Sequence, residues 1–171
     1  MAVVINGTTG ISGVSTVNLA NGSVTQNILA NGVAGTGPAF SAYQSSGQTL
    51  SSNTWTKISF QTEEFDTANC FDSASTYRFM PNVAGYYQIS GGYSVATTAS
   101  IMYLQYYKNG SGYKLTTNSG SAGLAGCYGS ILVYLNGTTD YVELYGYILT
   151  GQALSANSQA TYFQAALVRA A

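Results

Sequence analysis

Carboxylates are the first candidates for chemistry in this sequence, because the side chains that most often work beside them in active sites are missing. The chain of 171 residues contains no histidine, which removes the most common general base and the most common metal ligand. A Ser-His-Asp or Cys-His site therefore cannot form within one chain. Two cysteines are too few for a zinc site of the usual kind, and no glycine-rich phosphate-binding motif occurs.

The carboxylates themselves are badly spaced for glycoside hydrolysis, which needs two carboxyl groups roughly 5 to 10 Å apart. Glu63 and Glu64 are adjacent, so on a strand they point to opposite faces. Asp140 and Glu143 also differ in parity. Glu64 and Asp66 share a parity, but they lie at the end of a predicted strand beside a loop. The sequence therefore predicts a protein that is not an enzyme and that needs no cofactor.

The acidic segment 63–72 is the one candidate metal site that the sequence offers. Carboxylate oxygens are the ligands that Ca²⁺ prefers in proteins. We favour a solvated acidic loop and keep calcium binding as the alternative. The candidate ligands are Glu63, Glu64, Asp66 and Asp72.

The scarcity of charge limits the kinds of partner that this protein can have. Charged residues make up 6% of the chain and the formal net charge is −1, whereas a typical soluble domain has about 25% charged residues. Nothing here attracts nucleic acid or an anionic membrane surface. A monomer would have to rely on Ser, Thr, Asn, Gln and Tyr for solubility. We favour the alternative, in which neighbouring subunits cover much of the surface.

The chain shows no pattern for membrane insertion or secretion. No stretch approaches about 20 continuous apolar residues, and no basic start followed by an apolar run marks a secretory signal. We expect a protein made in the cytosol that is used there or leaves by cell lysis or within a virion. In that setting Cys70 and Cys127 are expected to be buried free thiols, with a disulfide as the alternative.

Residues 1–37 differ in composition from the rest of the chain. They contain no charged and no aromatic residue, and Leu19-Ala20-Asn21-Gly22 returns as 29–32. Scattered aliphatic side chains can form a core only where several copies or partners meet. We predict an extended N-terminal leader that orders on partner chains, with a disordered linker as the alternative. The turn residues of 35–38 mark its boundary with a second domain, residues 38–171.

The second domain reads as short strands throughout. Apolar and polar residues alternate with a period of two, no stretch shows a convincing helical period, and Asn109-Gly110 and Asn136-Gly137 are hairpin-type dipeptides. Eight to ten antiparallel strands of this kind predict a β-sandwich or barrel. The predicted strands are 54–60, 77–79, 87–89, 93–95, 101–107, 126–135, 140–149 and 160–169.

Several of these strands are apolar or tyrosine-rich on both faces. In 140–149, Val142, Leu144 and Ile148 share one face, and the opposite face is also aromatic. A sandwich strand needs only one apolar face, so the second should be buried against another subunit or serve as a binding surface. The predicted subunit interface is Tyr103, Tyr107, Tyr141, Tyr145 and Tyr147.

Three neighbouring pieces of sequence resemble the globular head of complement component one-q, whose family shares the tumour necrosis factor-like jelly roll. The pieces are Phe71-Asp72, Tyr77-Arg78-Phe79-Met80-Pro81 and Ala84-Gly85-Tyr86-Tyr87-Gln88-Ile89. The segment Leu135–Val142 departs from the family pattern, because Thr138-Thr139 separates Gly137 from Asp140. The residues that carry the signature, with one from the closing strand, are Phe71, Phe79, Pro81, Gly85, Tyr87 and Phe163.

The resemblance extends over about residues 38–171 and implies a jelly-roll β-sandwich that forms tight homotrimers about a threefold axis. The leader, with Ile5-Asn6-Gly7-Thr8-Thr9-Gly10-Ile11 at its start, is similar to segments of bacteriophage tail-fibre and other virion proteins. Such chains often carry a head domain of this type at the C-terminus.

These resemblances imply a virion protein made in the host cytoplasm, and they leave three functions open. The first is a trimeric tail-fibre or receptor-binding component, attached to other virion proteins by residues 1–37, that meets a host cell-surface glycan or protein. The second is a capsid decoration protein. The third is a bacterial adhesion or recognition module.

Overall fold

The computed structural model describes residues 5–6, 10–11 and 37–171, with residue 100 and residues 118–124 described by their backbone alone. The chain divides into two compact units, Met1–Asn31 and Gly32–Ala171. In the first unit, β1 (Ile5–Asn6) pairs antiparallel with β2 (Gly10–Ile11). The remainder of the predicted leader, apart from residue 37, lies outside the described residues.

The second unit is all-β over residues 37–171, as the sequence predicts. The part of it that the structure describes contains nine strands and no helix, within the predicted range of eight to ten strands. The strands are β3 (Ala39–Tyr43), β4 (Thr49–Leu50), β5 (Thr56–Lys57), β6 (Thr62–Asp66), β7 (Ala84–Lys108), β8 (Ser111–Asn136), β9 (Val142–Ile148), β10 (Gln152–Ala153) and β11 (Tyr162–Ala170).

Two long antiparallel strands, β7 and β8, each contribute to two sheets. Residues 84–94 of β7 pair with β11 on one side and with residues 126–136 of β8 on the other. Residues 101–108 of β7 pair with β9 and with residues 111–119 of β8. The first sheet therefore has the order β6-β3-β11-β7-β8, and the second has the order β5-β9-β7-β8.

The two sheets share one core, and buried tyrosines cross-link them. The hydroxyl of Tyr93 in the first sheet donates to the backbone oxygens of Tyr147 at 2.8 Å and Tyr103 at 3.2 Å in the second. In the opposite direction, Tyr106 donates to the backbone oxygen of Gly129. Gly91 allows close packing, because a Cβ there would lie 2.7 Å from Leu144 Cδ1 across the core. This is the layered arrangement of a β-sandwich.

The predicted alternation on strand 101–107 is confirmed. Met102, Leu104 and Tyr106 are fully buried, whereas Tyr103 and Tyr107 are half-buried on the outward face. The inward residues of β7 therefore supply the core of both sheets, and its outward residues belong to two separate surfaces.

The two predicted turns have different outcomes. Asn109 and Gly110 have φ angles of 52° and 77° and join β7 to β8 in a tight hairpin, which confirms that prediction. The prediction of a hairpin at Asn136-Gly137 is wrong, because β8 and β9 both pair with β7 and not with each other. The Asn136 side chain instead accepts N–H bonds from Thr138, Thr139 and Asp140, which shapes the crossing from one sheet to the other.

Two of the predicted strands are largely loop. Only Thr56–Lys57 of the predicted strand 54–60 is a strand, and residues 77–79 make isolated bridges at Phe79 alone. Tyr77 has a φ of 50°, which is incompatible with extended backbone. Apolar and polar side chains alternate in these segments because loop residues such as Ile58, Phe60 and Phe79 are buried in the core.

Cys70 and Cys127 are buried free thiols in this structure, as predicted. Burial raises the pKa of Cys127 to about 11. Burial is also the main cause that raises the pKa of Cys70, and a hydrogen bond to Asp66 adds to it. Because thiolates are the reactive form, both thiols should be inert in the folded protein.

We expect neither thiol of the native protein to react with iodoacetamide near pH 8, where a pKa of about 11 leaves roughly a thousandth of Cys127 as thiolate. After unfolding in guanidinium without reductant, mass spectrometry should find both labelled. Two unlabelled cysteines in the unfolded protein would reveal a disulfide and contradict the prediction.

Candidate functional site

The family-signature residues meet in one aromatic cluster in the core. Its centre is Phe40, which stacks on Phe71 at 4.5 Å and on Phe79 at 4.8 Å and meets Phe163 edge-on at 5.0 Å between ring centroids. Tyr87 packs edge-on against Phe79 at 5.3 Å. These side chains form the hydrophobic core of the first sheet and are not accessible to a ligand.

The two other signature residues, Pro81 and Gly85, are not aromatic. Pro81 is buried. Gly85 is also buried, and a Cβ at this position would lie 2.5 Å from the backbone oxygen of Arg169. Only glycine therefore allows β7 and β11 to approach each other at this point. The Tyr87 hydroxyl donates to the backbone oxygen of Val83 at 2.7 Å, which fixes the start of β7.

The acidic segment 63–72 uses its carboxylates to hold its own loop. Asp66 accepts backbone N–H bonds from Ala68, Cys70 and Phe71 at 2.7 to 3.1 Å, which brings Phe71 to the aromatic cluster. Glu63 accepts from Ser73, and Glu64 accepts from Ser41.

Asp72 is a second capping carboxylate in the same region. It accepts bonds from the backbone N–H groups and hydroxyls of the next turn, at 2.6 to 3.0 Å. Within the described residues, no three His, Cys, Asp or Glu side chains gather into a metal-binding group. The four candidate calcium ligands thus have separate partners inside the protein.

The five predicted interface tyrosines lie on the outward side of the second sheet, together with Trp55. We call this surface the tyrosine face: Trp55, Tyr103, Tyr107, Tyr141, Tyr145 and Tyr147. They form pairs. Tyr103 stacks on Tyr147 at 5.3 Å, Tyr107 stacks on Tyr145 at 3.9 Å, and the Arg78 guanidinium lies 4.6 Å above the Tyr141 ring. All six rings are half-buried, because each is partly covered by another ring or, at Tyr141, by the Arg78 guanidinium.

An ion pair lies among these rings. Lys57 Nζ is 2.7 Å from Glu143 Oε1, and the Glu143 residue is only 5% exposed. Lys57 also donates to the backbone oxygen of Thr76 at 3.2 Å. Burial raises the pKa of Tyr145, and the Glu143 carboxylate adds to the increase. The pair ties β5 to β9 and leaves the middle of the tyrosine face without net charge.

The outward side of the first sheet exposes six large apolar side chains, and sequence reasoning missed it. We call it the apolar face: Phe65, Tyr86, Tyr128, Leu132, Tyr134 and Val168, which are 42 to 55% exposed. On the tyrosine face, Leu115, which pairs with Gln105 across β7 and β8, is 52% exposed. Tyr86 pairs with Tyr134 across β7 and β8, and Gln88 pairs with Leu132. The signal was present, because Tyr128, Leu132 and Tyr134 alternate with buried residues on one predicted strand.

The apolar face has a groove at one side and an open strand at the other. The groove has a volume of about 210 Å³ and lies where β3, β6, β7 and β11 meet. Its lining includes Ala39, Phe65, Gln88, Gln164 and Ala166. At the opposite edge, residues 127–136 of β8 pair, among the described strands, with β7 alone, so this edge of the sheet is open to a partner.

The structure has the TNF-like jelly-roll fold. It is similar to murine APRIL (TM-score 0.60, 10% identity, 77% of this chain and 98% of that chain) and to Eiger TNF from S. frugiperda (TM-score 0.63, 7% identity, 79% and 95%). It is also similar to the PRD1 vertex protein P5 (TM-score 0.54, 16% identity, 77% and 97%). No protein-family profile and no curated protein sequence matches the chain. In the described residues, no helix is long and apolar enough to cross a membrane.

Capping by Asp72 should make stability depend on pH. Hydrogen bonds from the Thr76 and Ser75 hydroxyls hold the pKa of Asp72 below its ordinary value. Because the folded pKa is the lower one, the carboxylate stabilises the fold above the unfolded pKa of about 3.9, and this contribution is lost as the pH falls below it. Asp72→Asn should therefore cost roughly 1 kcal/mol near pH 7, with a deficit that shrinks between about pH 4 and pH 2.

Urea unfolding of Asp72→Asn and the wild type at several pH values measures this. Thr97→Ala, which removes a hydroxyl that donates to the uncharged Gln152 side chain at 2.6 Å, is the control and should keep the wild-type pH profile. A deficit for Asp72→Asn that is constant with pH would contradict the capping role.

Proposed function

We propose that this chain is a non-enzymatic, homotrimeric structural protein of a bacteriophage virion. The observation that carries the proposal is the apolar face, whose large exposed side chains need a partner in a charge-poor protein. The likeness to the PRD1 vertex protein P5 supports the virion setting, since it shows this fold in a protein of a phage particle. The absence of histidine from the sequence supports a role without catalysis.

The geometry of the apolar face favours association with copies of the same chain in a ring. The groove beside Phe65 on β6 and the open edge strand that carries Leu132 lie at opposite edges of the same sheet. A contact between them is head-to-tail, and such contacts either close into rings or continue as filaments. A ring of three copies is also what the family resemblance of residues 71–89 implies, although the complement one-q assignment itself stays a prediction.

The tyrosine face is the competing candidate for the trimer interface, because the sequence favours Tyr103, Tyr107, Tyr141, Tyr145 and Tyr147. Mutual stacking leaves these rings half-buried in a single chain. A subunit contact would therefore gain less from these rings than from the six exposed side chains of the apolar face, where removal of each 100 Å² of apolar area from water contributes about 2.5 kcal/mol. We propose the apolar face as the interface.

Within the virion, we propose a tail-fibre or receptor-binding component that residues 1–37 attach to other virion proteins. The jelly roll would then present its surface to a host-cell glycan or protein. A capsid decoration protein is the alternative, and it uses the same trimer. A bacterial adhesion or recognition module is the second alternative.

Sedimentation of matched aspartate variants distinguishes the two faces. We expect the wild type to sediment as three chains of 17.9 kDa each. Leu132→Asp should sediment as a single chain with an unchanged circular dichroism spectrum, because it places a charge in the apolar face. Tyr145→Asp should remain a trimer. Dissociation by Tyr145→Asp alone would assign the interface to the tyrosine face, and a single-chain wild type would contradict the trimer.

Electron microscopy of intact particles with antibody against this chain tests its place in the virion. The tail-fibre proposal predicts label at the tail. Label over the head would favour capsid decoration instead. Absence of the chain from purified particles, measured by mass spectrometry, would overturn the virion proposal itself.

A further inference from the structure

One end of the tyrosine face carries a compact group of three rings, which we call the Trp55 platform: Trp55, Tyr103 and Tyr147. The Trp55 ring lies 5.3 Å from the Tyr147 ring and 6.3 Å from the Tyr103 ring between centroids. Each ring is half-buried. The platform therefore presents part of three aromatic surfaces to solvent over an area far smaller than a protein interface, which takes about 800 Å² from each partner.

The loop that carries Trp55 is held rigidly against β9. Asn53 adopts a left-handed conformation with a φ of 53°, and its backbone N–H donates to the Ile148 oxygen at 2.9 Å. Its side-chain oxygen accepts from the Tyr147 hydroxyl at 2.9 Å. The Ser52 hydroxyl donates to the Leu149 oxygen at 2.6 Å. Asparagine adopts a left-handed backbone more readily than most residues, and these hydrogen bonds hold the loop in place, so it is preorganised for a ligand.

Neutral hydrogen-bonding groups lie beside the platform. Asn53 and Thr54 are exposed beside Trp55, and Thr117, which pairs with Tyr103 across β7 and β8, is also exposed. None of these residues carries a charge. The nearest ion pair on the same face, Lys57 with Glu143, neutralises itself. A neutral ligand with many hydroxyl groups fits these surroundings better than a charged one.

We propose that the Trp55 platform binds a neutral oligosaccharide. A sugar ring presents C–H groups on one face, which interact with the electron-rich face of an aromatic ring, and its hydroxyls bond amide and hydroxyl groups at the rim. This inference rests on the proposed function, because a trimer built through the apolar face leaves the tyrosine face open. It adds the ligand class and its site to the proposed receptor-binding role.

The platform contains its own reporter, because Trp55 is the only tryptophan of the chain. The experiment titrates the full-length protein with cellohexaose, maltohexaose and chitohexaose and follows Trp55 emission. We expect a saturable change with at least one of them, with a Kd between about 10 μM and 1 mM. Tyr147→Ala should weaken that binding by about tenfold or more, a loss of roughly 1.4 kcal/mol, measured by calorimetry.

Two further variants separate binding from folding. Tyr147→Phe keeps the ring and loses only the bond to Asn53, so it should retain most of the affinity. Tyr107→Ala removes a ring of the same face outside the platform and should bind as the wild type does. If no oligosaccharide of the three changes the emission at about 10 mM, or if Tyr147→Ala binds normally, the inference is wrong. A trimer that sediments normally in that case leaves the proposed function intact.

Discussion

The continuity of β7 and β8 is the constraint on which the rest of this structure depends. Each strand runs through both sheets, so the two sheets cannot be separated without breaking the same pair of strands. The strands change sheet near Ser94 and Ile101, where the pairing shifts register, as β-bulges do when a strand bends. Because side chains alternate along a strand, one continuous strand fills one core with its inward residues. Its outward residues are divided between two surfaces that face different surroundings.

Those two surfaces differ because their aromatic side chains are arranged differently. On the second sheet, Tyr107 stacks on Tyr145, so the two rings cover part of each other's apolar surface. The Lys57–Glu143 ion pair lies on the same face and links β5 to β9. On the first sheet, small residues such as Ala166 and Ser90 separate the large ones, and Leu132 stands 55% exposed. A surface with isolated large apolar groups and a groove gains most from a complementary protein partner. A surface of paired, half-covered rings is better suited to a small ligand.

Local alternation predicted strands of this fold, and long-range features escaped it. Strand 101–107 could be predicted from its period of two, but only the structure shows that Met102, Leu104 and Tyr106 form its buried face. Asn109-Gly110 could be placed in a turn because few residues accept a positive φ. Phe40 was missed as the centre of the aromatic cluster, since its strand is short and its neighbours are small. The apolar face was missed because the exposure of a side chain depends on which distant strands pack against it. The tyrosine pattern predicted exposed rings on the second sheet, but their stacking leaves them half-buried.

The open edge of β8 indicates how association could remain finite in so weakly charged a protein. An exposed edge strand invites continued strand addition and aggregation, which natural proteins oppose with charge. Here Lys108 donates to the backbone oxygen of Tyr134 at 2.8 Å and pairs with Asp140 at 3.0 Å. One end of the edge is thus occupied by one of the few ion pairs that the described residues contain. A strand cannot extend past that point without displacing it, whereas the apolar side chains of Leu132 and Tyr128 remain available. This arrangement favours packing of the edge against the face of another copy over strand addition, and it is the kind of contact that can close into a ring.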